Sequence, residues 1–392
     1  MTTQNPIALQ TPLRTGFGPR TTAKEALGGQ DLTGRIAIVT GGYAGLGLEA
    51  VKALASAGAT VIVPARTPEK AQAALSTVPG VELERVELMD PSSIDAFAER
   101  FLATGRPLHM MINSAGIMAA PLVRDSRGFE SQLSTNHLGH FQLTARLWPA
   151  LKKAEGARIV SVSSFAHQLG GFDFEDPNFH TRDYERWVAY AQSKTANALF
   201  AVAMDKRGKT HGVRTFSVHP GTIITNLSRH MTEDELNAFS ALNERGERVL
   251  LAYSDEFKTI EEGAATLVWC AVHPQLDGKG GVYCENGDIA EITSVPFTPG
   301  VFERAVNAED AERLWTLSER LTGVKFELLP VGSSVCRPCS GFRDPAGSDE
   351  GKRRSNHDVC PTGCAEARAC PASRSENIRK AANESVGRLS SL

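Results

Sequence analysis

Short runs of β-branched and apolar residues alternate with helical patterns along most of this 392-residue chain. The predicted strands cover residues 35–40, 60–64, 83–89, 108–113, 158–163, 213–219 and 281–284. The predicted helices between them cover residues 46–57, 68–76, 91–103, 129–153 and 187–206. Apolar strands separated by helices indicate parallel pairing, with helices packed on both faces of the sheet. Right-handed crossovers then predict an α/β fold built on a single doubly wound sheet, which binds ligands beyond the carboxyl ends of its strands.

Composition divides the chain into three zones. Residues 1–30 are predicted to form an N-terminal arm with a short helix at residues 22–27, and residues 31–328 form the globular domain. Residues 329–392 contain one aromatic residue, Phe342, among many Ser, Arg, Gly and Pro residues. Such a segment cannot bury enough apolar area to offset its ordering entropy, which predicts a disordered tail.

Five of the seven cysteines lie in this tail, at Cys336, Cys339, Cys360, Cys364 and Cys370. Four thiolates are a possible tetrahedral zinc site. The spacing of the second pair is less regular than C-x-x-C, however, and no aromatic or hairpin pattern surrounds it. The sequence therefore favours reduced thiols in a solvated tail, and we assign no metal.

The net charge of −3 gives no basic excess of the kind that nucleic acids or acidic membranes attract. The apolar runs are far shorter than the ~20 residues of a membrane span. Residues 1–20 are polar and lack the apolar centre of a secretory signal. We therefore expect a cytoplasmic protein that acts on a small molecule, without a nucleic-acid partner or membrane span. Homo-oligomerisation stays open.

A glycine-rich turn follows the first predicted strand directly. Residues 40–47 read T-G-G-Y-A-G-L-G and open the first helix. Glycines let the backbone approach a pyrophosphate closely, and the helix N-terminus supplies unpaired N–H groups. The position in a β-α-β unit favours a Rossmann-type dinucleotide loop over an ordinary connection. The predicted contacts are Gly41, Tyr43, Gly45, Leu46 and Gly47.

Arg66 follows the second strand, where an NAD-binding protein carries a carboxylate for the ribose hydroxyls. A guanidinium group suits the 2′-phosphate of NADP, which a carboxylate would repel. The sequence therefore favours NADP over NAD as the cofactor, with a solvated surface arginine as the alternative. Lys70, on the next helix, is a weaker candidate for the same role.

Tyr190 and Lys194 lie four residues apart at the start of a long predicted helix, so they share one face. Ser164 follows the fifth strand and reaches the same edge of the sheet. A phenol has a pKa of about 10 and needs a lower one for proton transfer near neutral pH. The nearby ammonium group of Lys194 is the candidate for lowering it.

These motifs together resemble the short-chain dehydrogenase/reductase family over residues 31–326. The resemblance rests on the T-G-x-x-x-G-x-G turn, the N-S-A-G turn at residues 113–116 and the Y-x-x-x-K pair. Three further segments look most like the branch with retinol dehydrogenases, the WW-domain oxidoreductase and protochlorophyllide reductases: AYAQSKTANALF at residues 189–200, HPGT at 219–222 and LWTLSERLTG at 314–323. The gap between Ser164 and Tyr190 is longer than is common in the family, and we interpret it as an insertion that this branch carries.

The resemblance implies an NADP-dependent oxidoreductase that interconverts a carbonyl and an alcohol, with the catalytic set Asn136, Ser164, Tyr190 and Lys194. Tyr190 would exchange the proton, Ser164 would hold the substrate oxygen, and Lys194 would also hold the nicotinamide ribose. Asn136 would fix a water between Lys194 and solvent. The further implied cofactor contacts are Asp90 beside the adenine, Asn113, Ala115 and Gly116 in the turn, and Pro220, Gly221 and Thr222 near the carboxamide or a phosphate.

The segment after Gly221 is amphipathic, and in the family it forms a lid over the substrate. The expected lid residues are Ile223, Ile224, Leu227 and Met231, followed by Leu236 and Phe239, with plain core packing as the alternative for each. An apolar lid favours a lipophilic aldehyde, ketone or alcohol. Two other functions stay open: a non-catalytic NADP-binding regulatory protein, and a sugar-nucleotide epimerase or dehydratase. A regulatory protein would not need the catalytic set Asn136, Ser164, Tyr190 and Lys194, which this chain retains. An epimerase or dehydratase of this fold has a T-G-x-x-G-x-x-G loop, which this chain does not match.

Overall fold

The computed structural model describes residues 6–239, 241, 243, 245–249 and 254–327. In this part of the chain, eight strands form one sheet in the order β3-β2-β1-β4-β5-β6-β7-β8. The strands are β1 Ile36–Thr40, β2 Thr60–Ala65, β3 Val81–Arg85, β4 Met110–Asn113, β5 Arg158–Val162, β6 Arg214–His219, β7 Val282–Glu285 and β8 Asp288–Ile289. Strands β1 to β7 pair in parallel, and β8 returns antiparallel to β7. The doubly wound α/β prediction is confirmed.

Helices cover both faces of this sheet. They are α1 Pro6–Leu9, α2 Ala23–Ala26, α3 Gly45–Ser56, α4 Pro68–Leu75, α5 Pro91–Ala103, α6 Ser131–Leu133, α7 Gly139–Lys153, α8 Arg186–Gly208, α9 Glu233–Ala238, α10 Ile260–Gly263, α11 Ala265–Val272 and α12 Ala308–Thr322. One apolar core lies beneath α5, α7, α8 and α12, and a second lies beneath α3 and α11 on the opposite face. A further pair of short parallel strands, β9 Ile292–Thr293 and β10 Val301–Phe302, stands apart from the main sheet.

Strand β1 is the centre of the fold, and all five of its residues are buried. Ile38 is in register with Ile62 of β2 on one side and with Met111 of β4 on the other. The strand order reverses here, since β2 and β4 run to opposite sides of β1. Such a reversal opens a crevice at the carboxyl ends of the strands. Thr40 and Asn113, which are register partners, therefore stand at the base of the crevice.

Residues 6–30, predicted as an arm, pack against the β7 edge of the domain. The Gln10 amide donates to the carbonyl oxygens of Tyr283 and Ala290 at 3.1 and 3.0 Å, and its oxygen accepts the Tyr283 N–H at 2.9 Å. Helix α2 buries Ala23 and Ala26 completely in the second core. These contacts make the segment part of the same packed unit.

Two predicted elements differ from the structure. Strand β3 ends at Arg85, four residues before its predicted end, because the chain then turns, with the Asp90 N–H donating to the Glu87 carbonyl oxygen at 3.0 Å. Val86 and Leu88 are still buried, which explains the strand-like pattern. The predicted helix at residues 129–153 contains a π-helical segment, Ser134–Leu138, between α6 and α7. The predicted tail and its cysteines lie outside the described residues. Within those residues, no helix combines the length and apolar character needed to cross a bilayer.

Candidate active site

The turn between β1 and α3 requires glycine. Gly41 has a φ of 68°, and a Cβ there would lie 2.9 Å from the Cα of Ala115. A Cβ on Gly47 would lie 2.5 Å from the carbonyl oxygen of Gly41. Helix α3 begins after Ala44, whose side chain provides no cap, so its first N–H groups stay available to an anion. This open backbone surface fits the pyrophosphate of a dinucleotide.

A cleft of about 580 Å³ extends from this turn along the carboxyl edge of the sheet. It brings together most of the predicted site residues: Gly41, Tyr43, Gly45, Leu46, Gly47, Arg66, Ala115, Gly116, Ser164, Tyr190, Lys194, Pro220, Gly221, Thr222, Ile223, Ile224, Leu227 and Met231. Asp90, Asn113 and Asn136 are not among its lining residues. The volume lies in the ordinary range for small-molecule sites.

Asn113 supports the cleft from below. It ends β4 and is 1% exposed, and its side-chain amide has no hydrogen-bond partner among the described residues. The turn that follows is held by Thr40, whose hydroxyl oxygen accepts the N–H groups of Ser114 and Ala115 at 3.0 and 3.1 Å. These contacts connect the ends of β1 and β4 beneath the part of the cleft that the glycine turn lines.

The reactive end of the cleft holds Tyr190, Ser164 and Lys194. Tyr190 and Lys194 are both 4% exposed on α8, and the Lys194 Nζ lies 5.5 Å from the centre of the Tyr190 ring. The same Nζ donates to the carbonyl oxygen of Val162, at the end of β5, at 2.9 Å. Ser164 lies near enough to the Tyr190 side chain to lower the pKa of its hydroxyl. The three groups predicted from sequence thus meet at one point.

Burial sets the proton affinities of this group. It raises the pKa of Tyr190 to about 12, against a smaller lowering effect of the Ser164 hydrogen bond. It also lowers the pKa of Lys194 to about 8. The expectation that Lys194 lowers the Tyr190 pKa is therefore not met by the protein alone. Burial has the larger effect on the Tyr190 hydroxyl, and the Lys194 ammonium group donates to the Val162 carbonyl oxygen.

Asn136 lies in the π-helical segment, just behind the reactive end. Its Oδ1 accepts the Ile117 N–H at 2.9 Å, and its Nδ2 donates to the Ile117 carbonyl at 3.0 Å and to the Ser193 hydroxyl at 2.9 Å. A Cβ added at Gly116 would meet both the Asn136 Oδ1 and the Lys194 Nζ. Asn136 therefore fixes the chain that follows the N-S-A-G turn, beside Lys194.

The opposite end of the cleft is lined by charged side chains: Arg66, Lys70, Glu87 and Arg229. Arg66 is 72% exposed and lies 3.6 Å from the Glu87 carboxylate. Asp90, predicted beside the adenine, caps α5 by accepting the Ser92 N–H at 2.9 Å and is not among the residues that line the cleft. Glu87, three residues earlier, does line the cleft. The sequence feature that could have pointed to Glu87 is that its carboxylate lies three residues closer to strand β3 than that of Asp90 does.

The comparisons with known proteins agree with this geometry. A family model described as short chain dehydrogenase matches residues 35–236. The chain belongs to the short-chain dehydrogenase family. As a member, it is an NAD(P)-dependent oxidoreductase, and it resembles the branch that the sequence indicated.

Two relatives and one solved structure show how far the likeness extends. A probable oxidoreductase of Streptomyces lividans is 43% identical over 293 residues, covering 73% of this chain and 96% of the relative. Human retinol dehydrogenase 12 is 37% identical over 302 residues, covering 76% of this chain and 89% of the relative. A solved structure from Mycobacterium paratuberculosis is 34% identical, with a TM-score of 0.58 and coverage of 76% of this chain and 96% of that one.

The segment after Thr222 lines part of the cleft of this short-chain dehydrogenase. Met231, Leu236 and Ala241 form a small apolar cluster, which packs against Met118, Trp187, Ile224 and Phe239. Met231 and Phe239 line the cleft, whereas Leu236 lies behind them. The predicted lid residues that line the cleft form an apolar wall along it, and Leu236 takes the core-packed position that was the alternative.

The sequence interpretation missed four apolar residues of this dehydrogenase that line the cleft near Tyr190: Met118, Phe165, Leu169 and Trp187. Trp187 precedes Tyr190 by one helical turn, and its ring lies 6.1 Å from the Tyr190 ring. That spacing was a usable signal, because residues three apart on a helix are neighbours. The other three follow turns whose path the sequence does not specify.

Proposed function

We propose that this dehydrogenase transfers a hydride between NADP and the carbonyl or carbinol carbon of a lipophilic substrate, with Tyr190 as the acid/base. One observation carries the proposal: Tyr190, Ser164 and Lys194 meet at one end of a cleft whose wall includes the glycine turn of a dinucleotide site. A protein that used this fold only for regulation would need no such group.

The chain's own residues then have distinct tasks. In carbonyl reduction, the Tyr190 hydroxyl donates its proton to the substrate oxygen, and in alcohol oxidation the phenolate takes it back. The Ser164 hydroxyl holds the same oxygen in place. Lys194, whose ammonium group lies 5.5 Å from the centre of the Tyr190 ring, holds the nicotinamide ribose beside it. The bound nicotinamide supplies or accepts the hydride.

The preference for NADP is supported by two guanidinium groups at the far end of the cleft. Arg66 and Arg229 both line it, and burial together with repulsion from Arg66 lowers the pKa of Arg229. Two cations that repel one another are stabilised by a phosphate bound between them. The Glu87 carboxylate is a weak competitor, since its contact with the exposed Arg66 is long.

Arg66→Ala and Arg229→Ala are each expected to lower kcat/KM for NADPH about tenfold, because each removes a charge-assisted contact with the 2′-phosphate. The values for NADH, which lacks that phosphate, should change by less than about threefold. Steady-state kinetics with both cofactors measures the difference. Arg146→Ala, on the outer side of α7 and paired with Asp95, is the matched control. Equal losses with NADPH and NADH would remove both arginines from this role.

Two features support the proposal of a lipophilic substrate: the apolar wall of the cleft, and the polar contacts that hold this wall against helix α8. The Glu235 carboxylate of α9 binds the Arg186 guanidinium at 2.7 Å and the Trp187 indole N–H at 2.6 Å. Arg186 also donates to the His230 carbonyl at 2.6 Å. These contacts attach the wall to the first turn of the helix that carries Tyr190.

Glu235→Ala is expected to raise the KM for a lipophilic aldehyde about fivefold, with a smaller change in the KM for NADPH, because it releases the wall from α8. Kinetics at varied aldehyde and fixed saturating NADPH measures it. Glu233→Ala, an exposed residue on the same helix, should leave both constants unchanged. An unchanged aldehyde KM in a folded Glu235→Ala protein would show that these contacts do not form the substrate site.

The experiment for the function itself mixes purified protein with NADPH and a panel of aldehydes and ketones of increasing chain length. We expect NADPH absorbance to fall fastest with the longer apolar members. A protein that binds NADPH tightly but oxidises it with no member of the panel would instead support the regulatory alternative.

A further inference from the structure

Glu256 lies directly behind Thr222, outside the lining of the cleft. The Thr222 hydroxyl donates to the Glu256 Oε1 at 2.6 Å, and the Thr222 N–H donates to the Glu256 carbonyl oxygen at 2.7 Å. The Thr222 carbonyl in turn accepts the Lys258 N–H at 3.0 Å, which completes a short parallel bridge. Thr222 is therefore held through its backbone and its side chain by one segment.

The same carboxylate also fixes the chain after Ser164. The Phe165 N–H donates to the His219 Nδ1 at 3.2 Å, so the His219 proton belongs on Nε2. That Nε2 lies 3.2 and 3.1 Å from the two oxygens of Glu256 and donates to them. Glu256 thus connects the turns that follow β5 and β6, which are the two turns beside Tyr190.

The Glu256 side chain is negatively charged and lies between the turns that follow β5 and β6. Burial raises its pKa, but contacts with His219 and Thr222 and the proximity of Lys258 together lower the pKa below its ordinary value. Glu285 of β7 also faces this group, and the Lys258 ammonium hydrogen-bonds Asn286. Removing the Glu256 charge would leave Lys258 less compensated, so the region would become more positive.

The direction of the Thr222 hydrogen bond has a chemical consequence. A hydroxyl has one proton and two lone pairs. Thr222 lines the cleft and its hydroxyl proton is committed to Glu256, so the hydroxyl has only acceptor lone pairs left for a group bound there. It is therefore matched to an N–H donor, such as the amino group of the nicotinamide carboxamide, and not to the carboxamide oxygen.

We propose that Glu256 is a positioning residue for the nicotinamide: it makes Thr222 a hydrogen-bond acceptor for the carboxamide amino group and favours the positively charged, oxidised ring. The inference rests on the proposed function in one respect, that this cleft binds NADP and NADPH. Glu256 would thus influence two preferences of the site: that for NADP⁺ over NADPH, and that for an amino group on the carboxamide of the nicotinamide.

The segment that carries Glu256 has a second anchor, so its side chain can be changed without releasing it. The Arg20 guanidinium, from the N-terminal segment, donates to the carbonyl oxygens of Ser254 and Phe257. Arg20 also forms an ion pair with Glu262 at 2.9 Å. The backbone bridge to Thr222 likewise does not depend on the identity of residue 256.

Glu256→Gln tests the charge. A Gln oxygen at the Oε1 position can still accept from Thr222 and His219, while the amide NH2 that replaces Oε2 loses the second His219 contact. The Thr222 hydrogen bond is therefore kept while the charge is lost. We expect the ratio of the Kd for NADP⁺ to the Kd for NADPH to rise about tenfold, because only the oxidised ring is positive. Fluorescence titration of each form measures the ratio without turnover. Glu261→Gln, an exposed carboxylate on α10, is the control and should leave the ratio unchanged.

Glu256→Ala tests the hydrogen-bond direction. The probe is the 3-acetylpyridine analogue of NADP⁺, in which a methyl group replaces the carboxamide amino group. The parent protein should bind it about fivefold or more weakly than NADP⁺, since Thr222 then lacks a donor. In Glu256→Ala the freed hydroxyl can donate to the acetyl oxygen, so this discrimination should largely disappear. In Glu256→Gln it should persist.

A ratio within about twofold of the parent in Glu256→Gln, or undiminished discrimination in a folded Glu256→Ala, would overturn the inference. If Glu256→Ala does not fold, as judged by circular dichroism, the Glu256→Gln ratio alone decides. A parent protein that binds neither NADP⁺ nor NADPH would contradict the proposed function itself. Normal binding by the parent with an unchanged ratio would contradict only the role of Glu256.

Discussion

Tyr190→Phe is expected to lower kcat by about 10³-fold, because proton transfer by a positioned side chain contributes roughly 10²–10⁴-fold. The substitution removes one oxygen from a buried ring and keeps the ring's packing against Trp187. The Kd for NADPH should therefore change by less than about threefold. Single-turnover kinetics with a reactive aldehyde, together with a fluorescence titration of NADPH, separates the two effects.

Tyr43→Phe is the matched control for this substitution. Tyr43 lines the same cleft at the glycine turn, far from the reactive group. Loss of its hydroxyl should leave the rate of the chemical step within about threefold of the parent, since that hydroxyl is not part of the proton path. A Tyr190→Phe protein as active as the parent would rule out Tyr190 as the acid/base.

Lys194→Met is expected to lower kcat by a similar factor and, at the same time, to stabilise the folded protein. Burial lowers the pKa of Lys194 to about 8, so keeping its ammonium charged at neutral pH costs roughly 3 kcal/mol. Methionine has a similar length and no charge. The Val162 carbonyl would keep a donor, because the Asn197 amide also donates to it at 2.9 Å. We expect the Tm at pH 7 to rise by about 3–6 °C.

The pH dependence of this gain has a definite sign. Between pH 8 and the ordinary lysine pKa of 10.5, the unfolded chain binds more protons at Lys194 than the folded chain does. The stability of the parent protein therefore rises with pH in that window. The advantage of Lys194→Met should be largest at pH 7 and smaller at pH 9.5, which thermal unfolding at both values measures.

Lys206→Met provides the comparison on the same helix. Lys206 is 54% exposed and pairs with Glu312 on the surface, a contact that contributes little to stability. Its replacement should change neither the activity nor the Tm by a measurable amount. A Lys194→Met protein that is active, or that is less stable than the parent at pH 7, would contradict this account of the buried ammonium group.

The parts of the site that the sequence predicted depend on local rules. The glycine turn follows from sterics within residues 40–47, and the Tyr190–Lys194 pair follows from helical spacing. Ser164 could be placed because strand ends in a parallel sheet lie at one edge. For these residues, position along the chain was enough to give position in the cleft.

Other parts depend on tertiary packing that no local pattern encodes. The π-helical segment that turns Asn136 toward Ile117 is set by its neighbours, and the predicted helix ran through it. Strand β3 ends at Arg85, Glu87 lines the cleft and Asp90 caps α5, and the strand pattern in the sequence specified none of these. Glu256 meets Thr222 across 34 positions of sequence, a contact that neither composition nor spacing announces.

The proton affinity of Tyr190 shows the same limit in chemical terms. Helical spacing places a lysine beside a tyrosine, which predicts a lowered phenol pKa. The structure adds full burial and a carbonyl partner for Lys194, and the pKa of Tyr190 is raised to about 12. The sequence therefore predicts that Lys194 is a neighbour of Tyr190, but it does not predict how deeply the two side chains are buried.

The central claim is most directly tested by following deuterium from NADPH labelled at C4 of the nicotinamide into a lipophilic aldehyde, with mass spectrometry of the product alcohol. With the label on the transferred face, the account predicts one deuterium on the former carbonyl carbon for the parent protein and almost none for Tyr190→Phe in the same time. Testing both C4 epimers covers either face. Bound NADPH that yields no deuterated alcohol from either epimer across the aldehyde panel would contradict it.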